Sequence, residues 1–199
     1  LHSFPTRRSS DLGVVAGVLP WNFPFFLIAR KMAPALVTGN TVVIKPSEET
    51  PLNAYLFAEL LSQTDLPKGV FNLVGGRGRT TGEALISHPG IDLITFTGSV
   101  ETGSHIMQVA GRNLTKVNLE LGGKAPAIVL KDADLDLAAQ AIHASRVINT
   151  GQVCNCAERV YVEREVHDAL VEKLAALFQD TRYGDPSLQD DLHMGPLIN

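Results

Sequence analysis

The stretch Leu93-Ile-Thr-Phe-Thr-Gly-Ser-Val-Glu-Thr-Gly103 passes from a short apolar run into a serine-led amphipathic one without a spacer. Leu93 to Phe96 reads as a buried strand. Gly98 frees the backbone to turn, and Ser99 opens a helix whose first N–H groups lack intrahelical partners. A strand that feeds a helix in this way presents those N–H groups to an anion. Gly103, one turn further in, allows the helix to lie close on the strand beneath it. Gly103, Ile106, Met107 and Ala110 share one side at helical spacing and predict the buried stripe.

The same alternation extends in both directions. Val14 to Leu19, Thr41 to Ile44, Val70 to Val74 and Lys116 to Leu119 read as further strands. Pro24 to about Leu36 predicts a helix that opens on proline. Thr50 predicts a cap with Pro51 at the first helical position, and Leu56, Phe57, Leu60 and Leu61 on one face. A shorter helix is expected around Arg79 to Ser87. Short apolar runs alternating with amphipathic ones define the α/β class with a mostly parallel sheet.

After Glu120 the pattern changes. Leu121-Gly-Gly-Lys124 reads as a turn and Ala127 to Leu130 as a strand; Asp132, Asp134 and Asp136 place acids at the start of a helix reaching Ile148. A loop with both cysteines follows, then a strand Arg159 to Val162, then a helix with Val166, Leu170, Leu174, Leu177 and Phe178 on one stripe. A domain boundary is therefore expected near Glu120, between residues 13–119 and 120–199. Residues 1–12, Leu1-His-Ser-Phe-Pro-Thr-Arg-Arg-Ser-Ser-Asp-Leu12, are polar, basic and aperiodic. They resemble translated sequencing adapter, so a non-native leader is expected there and is set aside from the fold. With an apolar loop at Met194 to Asn199, the chain is expected to be a piece of a longer one.

The chain has 199 residues, 45% of them hydrophobic and 19% charged, enough apolar material to bury a core and too much for disorder. The formal net charge of −4, without a long basic run, lacks the footprint of a nucleic-acid binder. No apolar stretch reaches 18 residues and no signal peptide opens the chain, so membrane insertion is not expected and the cytoplasm is the default setting.

Three stretches could carry chemistry. Gly75-Gly-Arg-Gly-Arg-Thr-Thr-Gly82 imitates the dinucleotide fingerprint, but its third glycine comes one residue late, so an ordinary strand-to-helix turn is the better reading. Lys45-Pro-Ser-Glu48 ends the second strand, on the ligand-bearing edge of an open α/β sheet. It is equally a ribose or phosphate contact or a solvated charge pair. Asn149-Thr-Gly-Gln-Val-Cys154-Asn-Cys156 holds the only two cysteines. Cysteines one residue apart rarely reach disulfide geometry, and a reducing cytosol disfavours a bridge. A metal would need about four ligands where a lone C-x-C supplies two.

Taken together, Pro20-Trp-Asn-Phe-Pro24, Lys45-Pro-Ser-Glu48, Phe96-Thr-Gly-Ser99 with Gly103, Leu119-Glu-Leu-Gly-Gly-Lys124 and Asn149-Thr-Gly-Gln-Val-Cys154 resemble the aldehyde dehydrogenase superfamily. The resemblance implies a Rossmann-like dinucleotide-binding domain followed by the start of an α/β catalytic domain. It makes Cys154 the nucleophile, Cys156 a neighbour without a required role, Glu120 the general base and Asn22 the oxyanion-hole amide. A carboxylate in the apolar Leu-Glu-Leu run is expected to be buried or paired for a purpose. Lys45 and Glu48 match contacts to the adenosine ribose, and Gly98, Ser99 and Gly103 the pyrophosphate turn. The acid at the ribose favours NAD over NADP.

For substrate, Arg30 and Asn155 would flank the hydroxyl end of a short polar aldehyde; a plain surface arginine is the alternative for Arg30. The similarity is greatest to members acting on lactaldehyde or glycolaldehyde, with succinate semialdehyde the runner-up. A CoA-acylating member would need no hydrolytic base, against which Glu120 speaks. The full-length protein is expected to be a homo-oligomer, and the chain alone to be inactive.

Overall fold

A computed structural model describes residues 13–199; the expected leader, residues 1–12, lies outside them. The chain divides into two compact units, the first ending at Leu121 and the second spanning Gly122–Asn199. Glu120, where the boundary was expected, belongs to the first unit, because its strand continues in register through Thr97↔Glu120 and Gly98↔Leu121.

The elements of the first unit are β1 (Val14–Val18), α1 (Pro24–Val37), β2 (Thr41–Lys45), α2 (Leu52–Ser62), β3 (Phe71–Leu73), α3 (Glu83–Ile86), β4 (Leu93–Gly98), α4 (Val100–Asn113) and β5 (Lys116–Leu121). All strand pairs are parallel, in the order β3-β2-β1-β4-β5. The chain leaves β1 for β2 on one side and returns for β4 on the other, so helices cover both faces. Val15, Val42 and Ile44 pack under Leu27, Ile28 and Ala54 of α1 and α2. Ala16, Ile94 and Phe96 pack under Ile106, Val109 and Ala110 of α4. Ile28, Ile44 and Ile94 are fully buried, and truncating such a side chain to alanine typically costs about 2–5 kcal/mol.

The sequence misjudged several helix details. Pro51 is the cap of α2 rather than its first residue, and the Thr50 hydroxyl, expected to cap, donates to Trp21 O at 2.9 Å. The predicted apolar face of α2 is split: Phe57 packs on the core while Leu56 and Leu60 are each 61% exposed. On α4 the inward position is Val109, not Met107, which is exposed. The helix expected over Arg79 to Ser87 is a π turn, Gly78–Gly82, running into α3.

In the second unit, β6 (Pro126–Val129) and β7 (Arg159–Val162) pair in parallel, with α5 (Leu135–Val147) and α6 (His167–Gln179) beside them. Val129, Ala139, Ile142 and Leu170 form the core. Asp134 caps α5, accepting from the N–H groups of Asp136 and Leu137 at 3.0 and 3.1 Å. The stripe on α6 centres on Leu170, Leu174 and Leu177, and Phe178 lies mostly outside it at 42% exposed. Among the described residues no helix is long and apolar enough to cross a membrane.

Candidate active site

The carboxyl ends of the parallel strands form one edge of the first unit, and the change of direction at β1 marks its crevice. Trp21, Asn22 and Phe23 follow β1 at this edge, half-buried, before Pro24 opens α1. Lys45 is the last residue of β2 and is 2% exposed. Its Nζ donates to Pro46 O at 2.9 Å and to Glu48 Oε2 at 3.3 Å. The other carboxylate oxygen of Glu48 accepts the Gly78 N–H at 3.3 Å. Partial burial opposes ionisation of Glu48, but hydrogen bonds from its own N–H and that of Gly78, with the Lys45 ammonium, outweigh it and hold the carboxyl below its ordinary value. The imitation fingerprint thus contributes Gly78 as a donor to Glu48.

β4 runs through Gly98 into α4 with Ser99 as the cap, and Ser99 Oγ accepts the Thr102 N–H at 3.2 Å. A Cβ on Gly103 would lie 2.5 Å from Leu121 Cδ2, so α4 rests directly on β5. A Cβ on Gly98 would meet the Phe96 ring at 2.4 Å; this glycine makes room for an aromatic ring beneath the turn.

On the α1 side of the sheet, the ends of β4 and β5 are polar. Lys31 of α1 is 6% exposed and its Nζ donates to Thr95 Oγ1 at 3.1 Å. Burial, only partly offset by Glu120, lowers its pKa to about 8, with Arg30 acting in the same direction as burial. Among the described residues Thr97 Oγ1, a buried atom, finds no hydrogen-bond partner. Glu120 itself is exposed, contrary to the burial expected of it. The strand period explains this: Lys116, Asn118 and Glu120 point one way while Val117, Leu119 and Leu121 pack toward α4. Sequence reasoning missed Lys31, whose signal was a lysine on the buried stripe of an apolar helix, at helical spacing from Leu27, Ile28 and Ala35. Arg30 is exposed on α1.

The second unit carries the cysteines. After α5 the backbone turns left-handed at three successive residues, Asn149 (φ 47°), Thr150 (φ 60°) and Gly151 (φ 75°). A β-branched residue there is a rare and strained choice. Gln152 and Val153 lead into a tight turn closed by Cys156 N–H donating to Val153 O at 3.3 Å. Cys154 and Asn155 occupy its corners and are exposed, while Cys156 is buried. Thr150 Oγ1 donates to Gly195 O at 3.0 Å, and Gln152 Oε1 accepts the Ile198 N–H at 3.0 Å. Asn22, Glu120 and the Lys45–Glu48 pair belong to the first unit, Cys154 and Asn155 to the second.

The first unit is thus a doubly wound parallel sheet with a capped helix beside its switch point, and the second displays an exposed cysteine at a tight turn. Residues 3–199 match the sequence profile of the aldehyde dehydrogenase family, and the chain belongs to that family. It is 61% identical over 188 residues to lactaldehyde dehydrogenase of Escherichia coli, covering 94% of this chain and 39% of that protein. A crystal structure of that enzyme superposes with a TM-score of 0.92 at 60% identity, over 95% of this chain and 40% of the other. D-glyceraldehyde dehydrogenase (NADP(+)) of Picrophilus torridus is 43% identical over 94% of this chain and 37% of its own length. Betaine aldehyde dehydrogenase from Staphylococcus aureus, solved in complex with NAD+, gives a TM-score of 0.89 at 39% identity, covering 95% and 37%. The chain therefore spans about two fifths of the length of these relatives.

Proposed function

We propose that the whole protein oxidises a small polar aldehyde, lactaldehyde or glycolaldehyde, to its carboxylic acid with NAD. The observation that carries the reading is the presentation of Cys154, an exposed thiol at the corner of a tight turn in a member of the aldehyde dehydrogenase family. The Cys154 thiolate adds to the aldehyde carbon, forming a thiohemiacetal. The Asn22 amide donates to the alkoxide oxygen; losing such a donor typically costs about 10²–10³ in rate. When bound, NAD supplies the acceptor for the hydride that leaves the same carbon. Glu120 then takes a proton from water as its oxygen attacks the thioester, and the acid departs as the Cys154 thiolate is restored.

The donor set at the first unit's edge suits a dinucleotide. Glu48 keeps lone-pair capacity beyond that used by Lys45, Gly78 and its own N–H and can accept a ribose hydroxyl. The start of α4 behind Ser99 offers N–H groups to a pyrophosphate. An acid at the ribose disfavours a 2′-phosphate, which supports NAD over NADP. We assign residues 13–119 to cofactor binding and residues 120–199, which open with Glu120 at the end of the first unit, to catalysis, Arg30 and Asn155 to the substrate's hydroxyl end, and a homo-oligomeric state to the whole protein. Steady-state NADH formation with lactaldehyde, glycolaldehyde and succinate semialdehyde tests the reading. A kcat/KM for succinate semialdehyde above both hydroxyaldehydes would overturn the substrate assignment.

A further inference from the structure

Cys156 has no part in the chemistry above, yet it is 2% exposed and its thiol has two polar partners. Sγ donates to Gly151 O at 3.1 Å and accepts from Arg146 Nη1 at 3.1 Å. Its N–H closes the turn that displays Cys154. The next residue is fastened as well, with the Ala157 N–H donating to Ser145 Oγ at 3.0 Å. Ser145 and Arg146 are neighbours in the last turn of α5, so one helix end holds the loop at two successive residues. The Arg146 guanidinium lies against Gly151, where an added Cβ would be 3.2 Å from Cζ. Glu158 Oε1 lies 3.6 Å from Arg146 Nη1, and Glu158 is itself paired with Lys124.

We propose that Cys156 and Arg146 are positioning residues that hold the Cys154 turn in one reactive geometry; the inference rests on Cys154 being the nucleophile. The physical need is set by the three left-handed residues that precede the turn. Such a conformation at a residue other than glycine is strained and persists only where surrounding contacts hold it. Gly151 O, at the end of the left-handed run, is the acceptor that Cys156 takes. A thiol both fits the buried site and serves as donor and acceptor at once. An apolar replacement would leave Gly151 O and an Arg146 N–H without this partner.

The test uses the whole enzyme and reads the single-turnover burst of NADH, the KM for aldehyde and the rate of Cys154 alkylation by iodoacetamide as a function of pH. Cys156→Ser retains a donor and an acceptor and is expected within about twofold of the parent in burst rate. Cys156→Ala is expected to lower the burst about tenfold with KM unchanged, since a displacement of about 1 Å at a reacting group can cost 10²-fold. Arg146→Gln is expected to act in the same direction, and the double variant to be little worse than either single one. A burst within twofold of the parent in Cys156→Ala, or a Cys156→Ser variant as slow as Cys156→Ala, overturns the proposal. If Cys156→Ala does not fold, an unchanged burst in Arg146→Gln overturns it alone. Cys154→Ser separates the two readings: a normal burst there removes the nucleophile assignment, whereas its loss beside a normal Cys156→Ala removes only the positioning role.

Discussion

Lys45 and Glu48 meet at the end of β2, the buried ammonium 3.3 Å from one carboxylate oxygen while the other oxygen receives the Gly78 N–H. Glu48 is thus held in place from two directions with its remaining lone pairs available. Glu48→Ser is expected to raise the kcat/KM ratio of NADP to NAD by about tenfold, through loss of repulsion at the 2′ position. An unchanged ratio would show that Glu48 does not face the ribose.

The same pair predicts a pH response. The folded value of Glu48 lies below its ordinary one, so its contribution to stability is complete above the ordinary carboxylate value of 4.5 and is lost as pH falls through the depressed value. Following the Glu48 carboxyl carbon by NMR should place its midpoint below the ordinary value of 4.5. A midpoint at or above 4.5 would contradict the hydrogen-bonded geometry.

For the nucleophile, Cys154→Ser is expected to abolish aldehyde-dependent NADH formation in the whole protein, by at least about 10³-fold, since a serine hydroxyl at neutral pH is a far weaker nucleophile than a thiolate. Cys156→Ser should retain most of the activity. Equal loss from both would sink the assignment of Cys154.

Glu120→Gln separates the two halves of the reaction. The variant is expected to give a near-normal burst of NADH in its first turnover and then to cycle about 10²-fold more slowly, because thioester hydrolysis lacks its base. Unchanged steady-state turnover would mean that Glu120 is not that base.

Lys31 offers a stability test. Burial lowers its folded value to about 8 from 10.5, so the unfolded chain binds more protons between those values and stability rises with pH across that window. The burden of Lys31 is complete below pH 8 and gone above 10.5. The stability difference between Lys31→Met and the parent should therefore shift toward the parent by about 2–3 kcal/mol between pH 7 and pH 10. Urea midpoints at the two pH values check this, and a difference independent of pH would contradict the burial of the ammonium.

Most of the first unit was legible because a central parallel strand buried on both faces writes itself as a short apolar run, as Val14–Val18 does. What was not legible depended on tertiary choices. Leucine at 56 and at 60 fits a helical stripe as well as Phe57 does, and only the position of α2 on β2 and β3 decides that Ala54 and Phe57 face in. The exposure of Glu120 was a matter of strand phase, since the alternation around it places apolar neighbours on the opposite face. Within the candidate site, the motif residues could be named from the sequence, but the roles of Lys31, Arg146 and Cys156 could not. Each depends on a contact between residues that spacing alone does not relate: Lys31 with Thr95, Arg146 with Cys156.

The placement of β1 at the centre of the sheet also has a consequence for synthesis. The Val14 N–H bonds to Asp92 Oδ2 across 78 positions of chain, and Val15 pairs with Leu93 on that side. A ribosome adding about 5–20 residues per second makes that stretch in roughly 4–16 s. β2 fills one flank of β1 once Lys45 has been made, but the other flank must wait for β4, so the nascent chain carries an unfilled apolar edge. The strand at the centre of this sheet is thus the one that waits longest for its second neighbour.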